Sequence, residues 1–265
     1  MHHLSLIPAH PWNSSKPSQI AKVTPSPAIA IKHLNVHYRE IEALRNINLE
    51  IQPGKLTAII GPNGAGKSSL LKAMLGLIPT TTGQVHSAGK PLTQQLKRVA
   101  YVPQRSQIDW TFPATVSDVV MMGRIRKTGW FQRYSPTSRR IATTALDRVK
   151  MGQFIHRPIG ELSGGQQQRV FLARSLAQEA EIFCFDEPFT GVDRKTETIL
   201  FDIFRDLADS GKIVLVVNHD LGESIRQFDD LILLNQDLIA TGPRSDVLTQ
   251  ENMYRAYAGR VQFFQ

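Results

Sequence analysis

Apolar residues alternate with polar ones at Ile29 and Ile31 and again at Ile47, Leu49 and Ile51. A period of two predicts strands with one buried face, and Gly54 ends the run. Two or three antiparallel strands are expected here. The pattern then shifts to short unbroken apolar runs at 55–60, 99–102, 182–185, 213–217 and 231–234, as in strands covered on both faces of a parallel sheet. Helical stretches such as 196–208 separate the last three runs, and alternation of this kind packs helices onto a parallel sheet. From Gln104 to Glu179 the spacing is mostly helical, most clearly at 135–150 and 166–178. The expected fold is α/β: a mainly parallel sheet, an antiparallel β subdomain ahead of it, and an α-helical subdomain inserted at 105–179. No internal repeat is visible.

The 265 residues suffice for one large or two small domains with a substantial core. A single cysteine, Cys184, excludes a disulfide framework and a thiolate zinc site, and fits a reducing compartment. Its place inside an apolar strand reads as a small buried side chain. No apolar run approaches the ~20 residues needed to span a bilayer. Residues 1–28 hold five of the fifteen prolines and no acid, which predicts a disordered N-terminal extension. Pro8 and Pro11 would interrupt the apolar stretch of a secretory signal, and His2, His3 and His10 read as solvated rather than metal-binding.

Charge adds one question. The chain has 31 Lys and Arg against 23 Asp and Glu, a net +8, and the segment 124–150 alone contributes eight basic residues against Asp147. Such a segment could face a membrane partner or an anionic leaflet, or be a solvated helix face.

The strand at 55–60 runs into Gly61, Pro62, Asn63, Gly64, Ala65, Gly66, Lys67, Ser68 and Ser69 and then a helix through Leu75. This is the P-loop pattern, in which backbone N–H groups and a helix N-terminus surround phosphate oxygens. Lys67 is expected to reach the β- and γ-phosphates and Ser68 to ligate Mg²⁺. Asp186 and Glu187 end another apolar strand at the sheet edge where ligands of parallel sheets bind. Asp186 suits the Mg²⁺ shell, and Glu187 could orient and deprotonate an attacking water; the competing reading is a helix N-cap. Leu162, Ser163, Gly164, Gly165 and Gln166 precede a helix and form a second candidate anion site.

With a P-loop, an LSGGQ run and the acidic strand in that order, the chain resembles the ATP-binding cassette ATPases over 29–258. The resemblance implies a RecA-like P-loop NTPase core, ATP and Mg²⁺ as cofactors, and two cassettes paired head to tail so that Ser163, Gly164, Gly165 and Gln166 of one close the nucleotide of the other. It also implies roles for Gln104 as the Q-loop glutamine that touches Mg²⁺ or the attacking water and couples the site to the transport partner, His219 as the switch histidine that contacts the γ-phosphate, Asp193 as the D-loop aspartate facing across the dimer, and Tyr38 as the aromatic that stacks on adenine. An aromatic packed on the small sheet is the other reading of Tyr38. Thr190 and Gly191 depart from the Ser-Ala-Leu-Asp type sequence of many members.

The stretches 102–124, 186–193 and 217–221 more narrowly resemble manganese, zinc and iron-chelate importers, although Thr111 stands where members often have an acid. This implies the ATP-hydrolysing subunit of a metal-ion importer, manganese or zinc, with a siderophore as the alternative cargo. The implied partners are a second cassette, integral-membrane permeases and, indirectly, an extracytoplasmic substrate-binding protein, with no nucleic acid. The implied location is peripheral, on the cytoplasmic face of the membrane. Asp109 to Phe112 sets Trp110 and Phe112 after the coupling loop without helical spacing, as expected of anchors for a partner's helix or, alternatively, of subdomain core. Met121 and Met122 read as core filler. The seven residues after Ala258 form a short tail, 259–265, which speaks against the long regulatory domain of some sugar-type importers. A soluble cassette ATPase acting on nucleic acid normally has two cassettes or coiled-coil arms, and a small-molecule kinase explains neither 162–166 nor His219.

Overall fold

The computed structural model describes residues 28–38, 41–128 and 133–257. Apart from Ala28, the extension expected at 1–28 lies outside the described residues, as does the tail at 259–265.

In chain order the elements are β1 (Ile29–Tyr38), β2 (Ile41–Ile51), β3 (Lys55–Ile60), α1 (Lys67–Met74), β4 (Thr82–Ser87), β5 (Lys90–Pro91), β6 (Val99–Val102), α2 (Val116–Met122), α3 (Ile125–Thr128), α4 (Pro136–Arg148), α5 (Gly164–Ala177), β7 (Ile182–Asp186), α6 (Arg194–Asp209), β8 (Ile213–Val217), β9 (Asp230–Asn235), β10 (Asp237–Pro243), α7 (Arg244–Val247) and α8 (Gln250–Tyr257). The antiparallel sheet has four strands in the order β2-β1-β4-β5, more than the two or three expected. The larger sheet runs β10-β9-β3-β8-β7-β6, parallel except for the β9–β10 hairpin.

The unbroken apolar runs have a direct structural cause. Successive side chains of a strand point to opposite faces, and both faces of this sheet are covered. Leu56, Ala58, Phe183, Phe185, Val214 and Val216 face a layer built on α5 and α6. Ile59, Ile182, Cys184, Leu215 and Val217 face α1 and the antiparallel sheet. The first layer is knit by aromatics, with Phe204 set 4.4 Å from Phe185 and Phe189 set 4.5 Å from Phe201.

Helices α2 to α5 lie within 105–179, and α2, α4 and α5 start at side-chain caps. The Thr115 hydroxyl and Asp118 carboxylate form a capping box on α2, and Ser135 caps α4 ahead of Pro136. Half of the basic segment is consumed in fastening these helices. Arg124 is buried and donates at 2.7 Å to both Ala177 O and the Glu179 carboxylate. Lys127 also pairs with Glu179, Arg126 donates to Leu96 O, and Arg148 pairs with Asp206 at 2.9 Å. Hydrogen bonding from Arg124 holds the Glu179 carboxyl below the usual range. Arg133, Arg139, Arg140 and Lys150 are exposed, so the segment is in part structural and not a uniform charged face.

Trp110 likewise differs from a free anchor. It packs edge-on against Phe171 at 5.2 Å, lies under the Arg105 guanidinium, and donates its Nε1 hydrogen to Arg105 O at 3.1 Å. Phe112 keeps the character expected of an anchor, at 57% exposed. Met122 is also at the surface, whereas Met121 packs on the core. No helix among the described residues is long and apolar enough to cross a membrane.

Phe204→Ala should lower unfolding free energy by ~3–5 kcal/mol, because it deletes a fully buried ring from the aromatic layer. Arg148→Ala breaks an ion pair whose partners are both exposed and should cost less than ~1 kcal/mol. Urea unfolding of the two variants checks the contrast.

Candidate functional site

The sheet order brings the candidate residues together. Strand β3 ends in the glycine loop, β7 in Asp186 and β8 ahead of Asn218 and His219, while β6 leads into Gln104. These are the C-terminal ends of four parallel strands, and the neighbours of β3 and β7 meet at β8.

The loop itself needs glycine for two separate reasons. Gly61, Gly64 and Gly66 all have positive φ, a region that L-residues with side chains avoid. At Gly66 there is also no room, since a Cβ would lie 2.5 Å from Ala43 O and 2.6 Å from Leu44 Cδ2. Gly66 is then the N-cap of α1, which has no side-chain cap, so the first N–H groups of the helix are left for a ligand. Lys67 is buried and folds back over the loop, donating at 2.8 Å to Gly61 O and to Pro62 O. Burial pushes its ammonium below the ordinary value, and the Glu187 and Asp186 carboxylates offset part of that. Asn63 and Gly64 are exposed, Ala65 is buried, and Ser69 is half-buried on the first turn of α1.

Ser68 Oγ donates to Asp186 Oδ1 at 2.7 Å. Asp186 is buried, and its Oδ2 has no hydrogen-bond partner. Burial pushes this carboxyl up against the lowering effect of the Ser68 hydrogen bond. A hydroxyl and a buried carboxylate with one free oxygen form a hard donor set, which suits Mg²⁺.

Glu187, one residue on, is held from three directions. Gln104 Nε2 donates to its Oε2 at 2.7 Å, Thr190 Oγ1 donates to the same oxygen at 3.3 Å, and its own N–H donates to Val217 O at 3.2 Å. Its φ of 51° is a left-handed conformation that a non-glycine residue adopts at a cost of ~1 kcal/mol or more. The helix N-cap reading of the acidic pair does not hold, because α6 begins later and is capped by Asp193, whose carboxylate accepts from Thr196 N at 2.7 Å.

Ser163 caps α5. Its hydroxyl accepts from Gln166 N, and Gln166 Oε1 accepts from Ser163 N at 2.8 Å. Gly165 sits where a Cβ would lie 2.9 Å from Thr196 Oγ1, so the start of α5 packs directly on the start of α6. Gly164 lies beside the Arg105 guanidinium, whose Nε and Nη2 both donate to Gln167 Oε1. No hydrogen bond joins 163–166 to the P-loop among the described residues. His219 is exposed, and Tyr38 stands at the end of β1 with 43% of its surface exposed.

A family model described as ABC transporter matches residues 44–190. The chain belongs to that family. The matched stretch carries the P-loop, Gln104, the 162–166 run and the Asp186-Glu187 pair. Among curated proteins, the manganese transport system ATP-binding protein MntB of Listeria monocytogenes is 50% identical over 227 residues, covering 86% of this chain and 95% of that protein. The zinc transport system ATP-binding protein TroB of Treponema pallidum is 47% identical over 234 residues, covering 88% of each. Among solved structures, an inward-facing ABC transporter of metal-chelate type superposes with a TM-score of 0.76 at 26% identity, covering 88% of this chain and 89% of that one.

In this cassette three contributors escaped the reading of the sequence. Thr190 was noted only for departing from the common pattern, yet it touches Glu187. Arg105 reaches Gln167 across 62 positions, which no local pattern encodes. Tyr101, whose hydroxyl is buried beside Asp186, has its phenol pushed up by burial and by the Asp186 carboxylate. The capping box at Ser163 was legible, since a serine followed three residues later by glutamine is its signature.

Gly66→Ala and Gly64→Ala separate the two demands on the loop. Both impose a positive φ on alanine, but a Cβ on Gly64 meets nothing within 4 Å. Gly64→Ala should cost ~1 kcal/mol and Gly66→Ala at least ~2 kcal/mol more, read from thermal midpoints of the nucleotide-free protein.

Proposed function

We propose that this chain is the ATP-hydrolysing subunit of an importer of a transition-metal ion, manganese or zinc, in which two cassettes pair beneath membrane permeases. The observation that carries the catalytic part is the Gln104–Glu187–Thr190 contact set, built beside the Ser68–Asp186 pair. The manganese and zinc transport names of relatives at 50% and 47% identity support the cargo.

Each residue then has a defined task. Backbone N–H groups from Gly64 to Ser69 receive the phosphates, and Lys67 exchanges the carbonyls of Gly61 and Pro62 for β- and γ-phosphate oxygens. Ser68 and Asp186 would hold Mg²⁺, which would neutralise negative charge on the β- and γ-phosphates when bound. Glu187 accepts the proton of the attacking water, and Gln104 fixes the carboxylate's direction through its 2.7 Å hydrogen bond. His219 would contact the γ-phosphate and Tyr38 would stack on adenine. Ser163, Gly164, Gly165, Gln166 and Asp193 would close the nucleotide of the second cassette, since α5 starts without any hydrogen bond to its own P-loop.

Cassettes of this family work as dimers with membrane permeases. In this chain a groove of about 290 Å³, lined by Leu77, Leu96, Tyr101 and Met122 among others, opens between the core and α2. Together with exposed Phe112, it is the surface we assign to the permease, which would hold the chain at the cytoplasmic face of the membrane.

Glu187→Gln should leave ATP affinity within about twofold while lowering turnover by ~10²–10⁴, the usual worth of a general base. Nucleotide titration and steady-state hydrolysis measure the two, and near-normal turnover would remove Glu187 from the mechanism. Deleting the gene should abolish uptake of radiolabelled manganese or zinc, while retained metal uptake with loss of siderophore uptake would reassign the cargo.

A further inference from the structure

The P-loop is tied to the antiparallel sheet by a chain of polar contacts that the tasks above leave unused. Gln236, in the turn between β9 and β10, donates its N–H to Ala65 O at 3.0 Å. The carbonyl of the same residue accepts from Arg45 N at 2.9 Å, and its side-chain Oε1 accepts from Arg45 Nη2 at 3.1 Å. The Arg45 guanidinium also reaches Asp237 at 3.1 Å and Glu42 at 3.5 Å, and Glu42 in turn lies 3.4 Å from His37 Nε2. His37 pairs with Glu42, and Tyr38 with Ile41, across the β1–β2 ladder. The chain therefore runs from the strand end that carries Tyr38 to the loop that carries Lys67.

Two features make this link directional rather than incidental. Gln236 has φ 61°, and that left-handed conformation lets one residue offer its N–H to the P-loop and its carbonyl to β2. Strand β2 also abuts the far end of the loop, where Ala43 O and Leu44 leave no room for a Cβ on Gly66. Packing at Ala43 and Leu44 sets the closest approach of the two parts, and packing resists compression better than separation. Arg45 supplies the polar tie that opposes separation.

We infer that Arg45, acting through Gln236, is a positioning residue that fixes the distance between the phosphate cradle and the aromatic at Tyr38, and so couples base recognition to phosphate binding. The inference rests on the assignment of the P-loop and Tyr38 to the two ends of one nucleotide site. It predicts a selective effect. A ligand that spans both ends needs the spacing held, whereas one that occupies the cradle alone does not.

The test compares ATP with inorganic tripolyphosphate, which has the phosphates but no base, by calorimetric titration of the full chain. Arg45→Ala should weaken ATP about three- to tenfold, the scale of a few exposed polar contacts, and leave tripolyphosphate within about 1.5-fold. Arg45→Lys, which keeps the charge and the backbone contact, should recover about half of the loss. At Gln236 the backbone is the active part, so Gln236→Gly should bind ATP nearly as wild type while the β-branched Gln236→Val, strained at positive φ, should resemble Arg45→Ala. Urea midpoints of Arg45→Ala, Arg45→Lys and Gln236→Gly within error of wild type exclude a folding defect, whereas Gln236→Val should show a lowered midpoint, because positive φ strains a β-branched residue. Equal weakening of ATP and tripolyphosphate, or no weakening of either by Arg45→Ala, would overturn the inference. Lys67→Ala that still binds tripolyphosphate, or Tyr38→Ala that still binds ATP normally, would instead sink the nucleotide-site assignment beneath it.

Discussion

The tightest constraint in the molecule is steric. The loop after β3 enters between two sheets, and at both of its ends backbone stands where a side chain would have to be: Leu234 O lies 2.1 Å from a Cβ on Gly61, and Ala43 O lies 2.5 Å from one on Gly66. Everything that makes the site usable follows from this approach. The chain can turn here because Gly61, Gly64 and Gly66 take positive φ, and α1 begins uncapped because Gly66 has no side chain to offer.

The charged groups around the loop are arranged at the expense of their hydration. Burial disfavours the charged form of Lys67 and of Asp186, shifting the base down and the acid up. The protein offsets this incompletely, with two carbonyls and the nearby Glu187 and Asp186 carboxylates for the ammonium, and the Ser68 hydroxyl and the Lys72 charge for the carboxylate. Under the proposed function, a triphosphate at Lys67 and a hard cation at Asp186 would supply the opposite charges that these two groups lack. Glu187 differs, since it is only half-buried and is held by donors from Gln104 and Thr190, which orient its carboxylate without neutralising it.

How much of this was legible depends on whether the cause is local. Strands β3, β6 and β8 appear with the boundaries expected of them because a continuous apolar run flanked by turn residues or charge is a local signal. Strands β4 and β10 were missed because both are largely unburied, so neither an apolar run nor clean alternation marks them. Motif spacing marked the candidate site residues but not the contacts around them: Gln104 meets Glu187 across 83 positions and Arg45 meets Gln236 across 191. For the same reason the basic segment read as one surface. The acids that engage Arg124 and Arg148 lie at Glu179 and Asp206, outside any local window, and Trp110 turns inward toward Phe171 on α5.

Cys184 lies fully buried in β7 two residues before Asp186, and burial pushes its thiol up to about 12. It is the single cysteine of the chain. Thiolate, not thiol, is the reactive form, so at neutral pH this sulfur is both inaccessible and almost wholly protonated. The protein is in practice a cysteine-free background for site-directed labelling. A cysteine introduced at an exposed position away from the nucleotide loop, such as Thr198 or Arg139, would carry a maleimide spectroscopic probe alone, and distances between two such probes on paired cassettes could be followed without first engineering the native residue away.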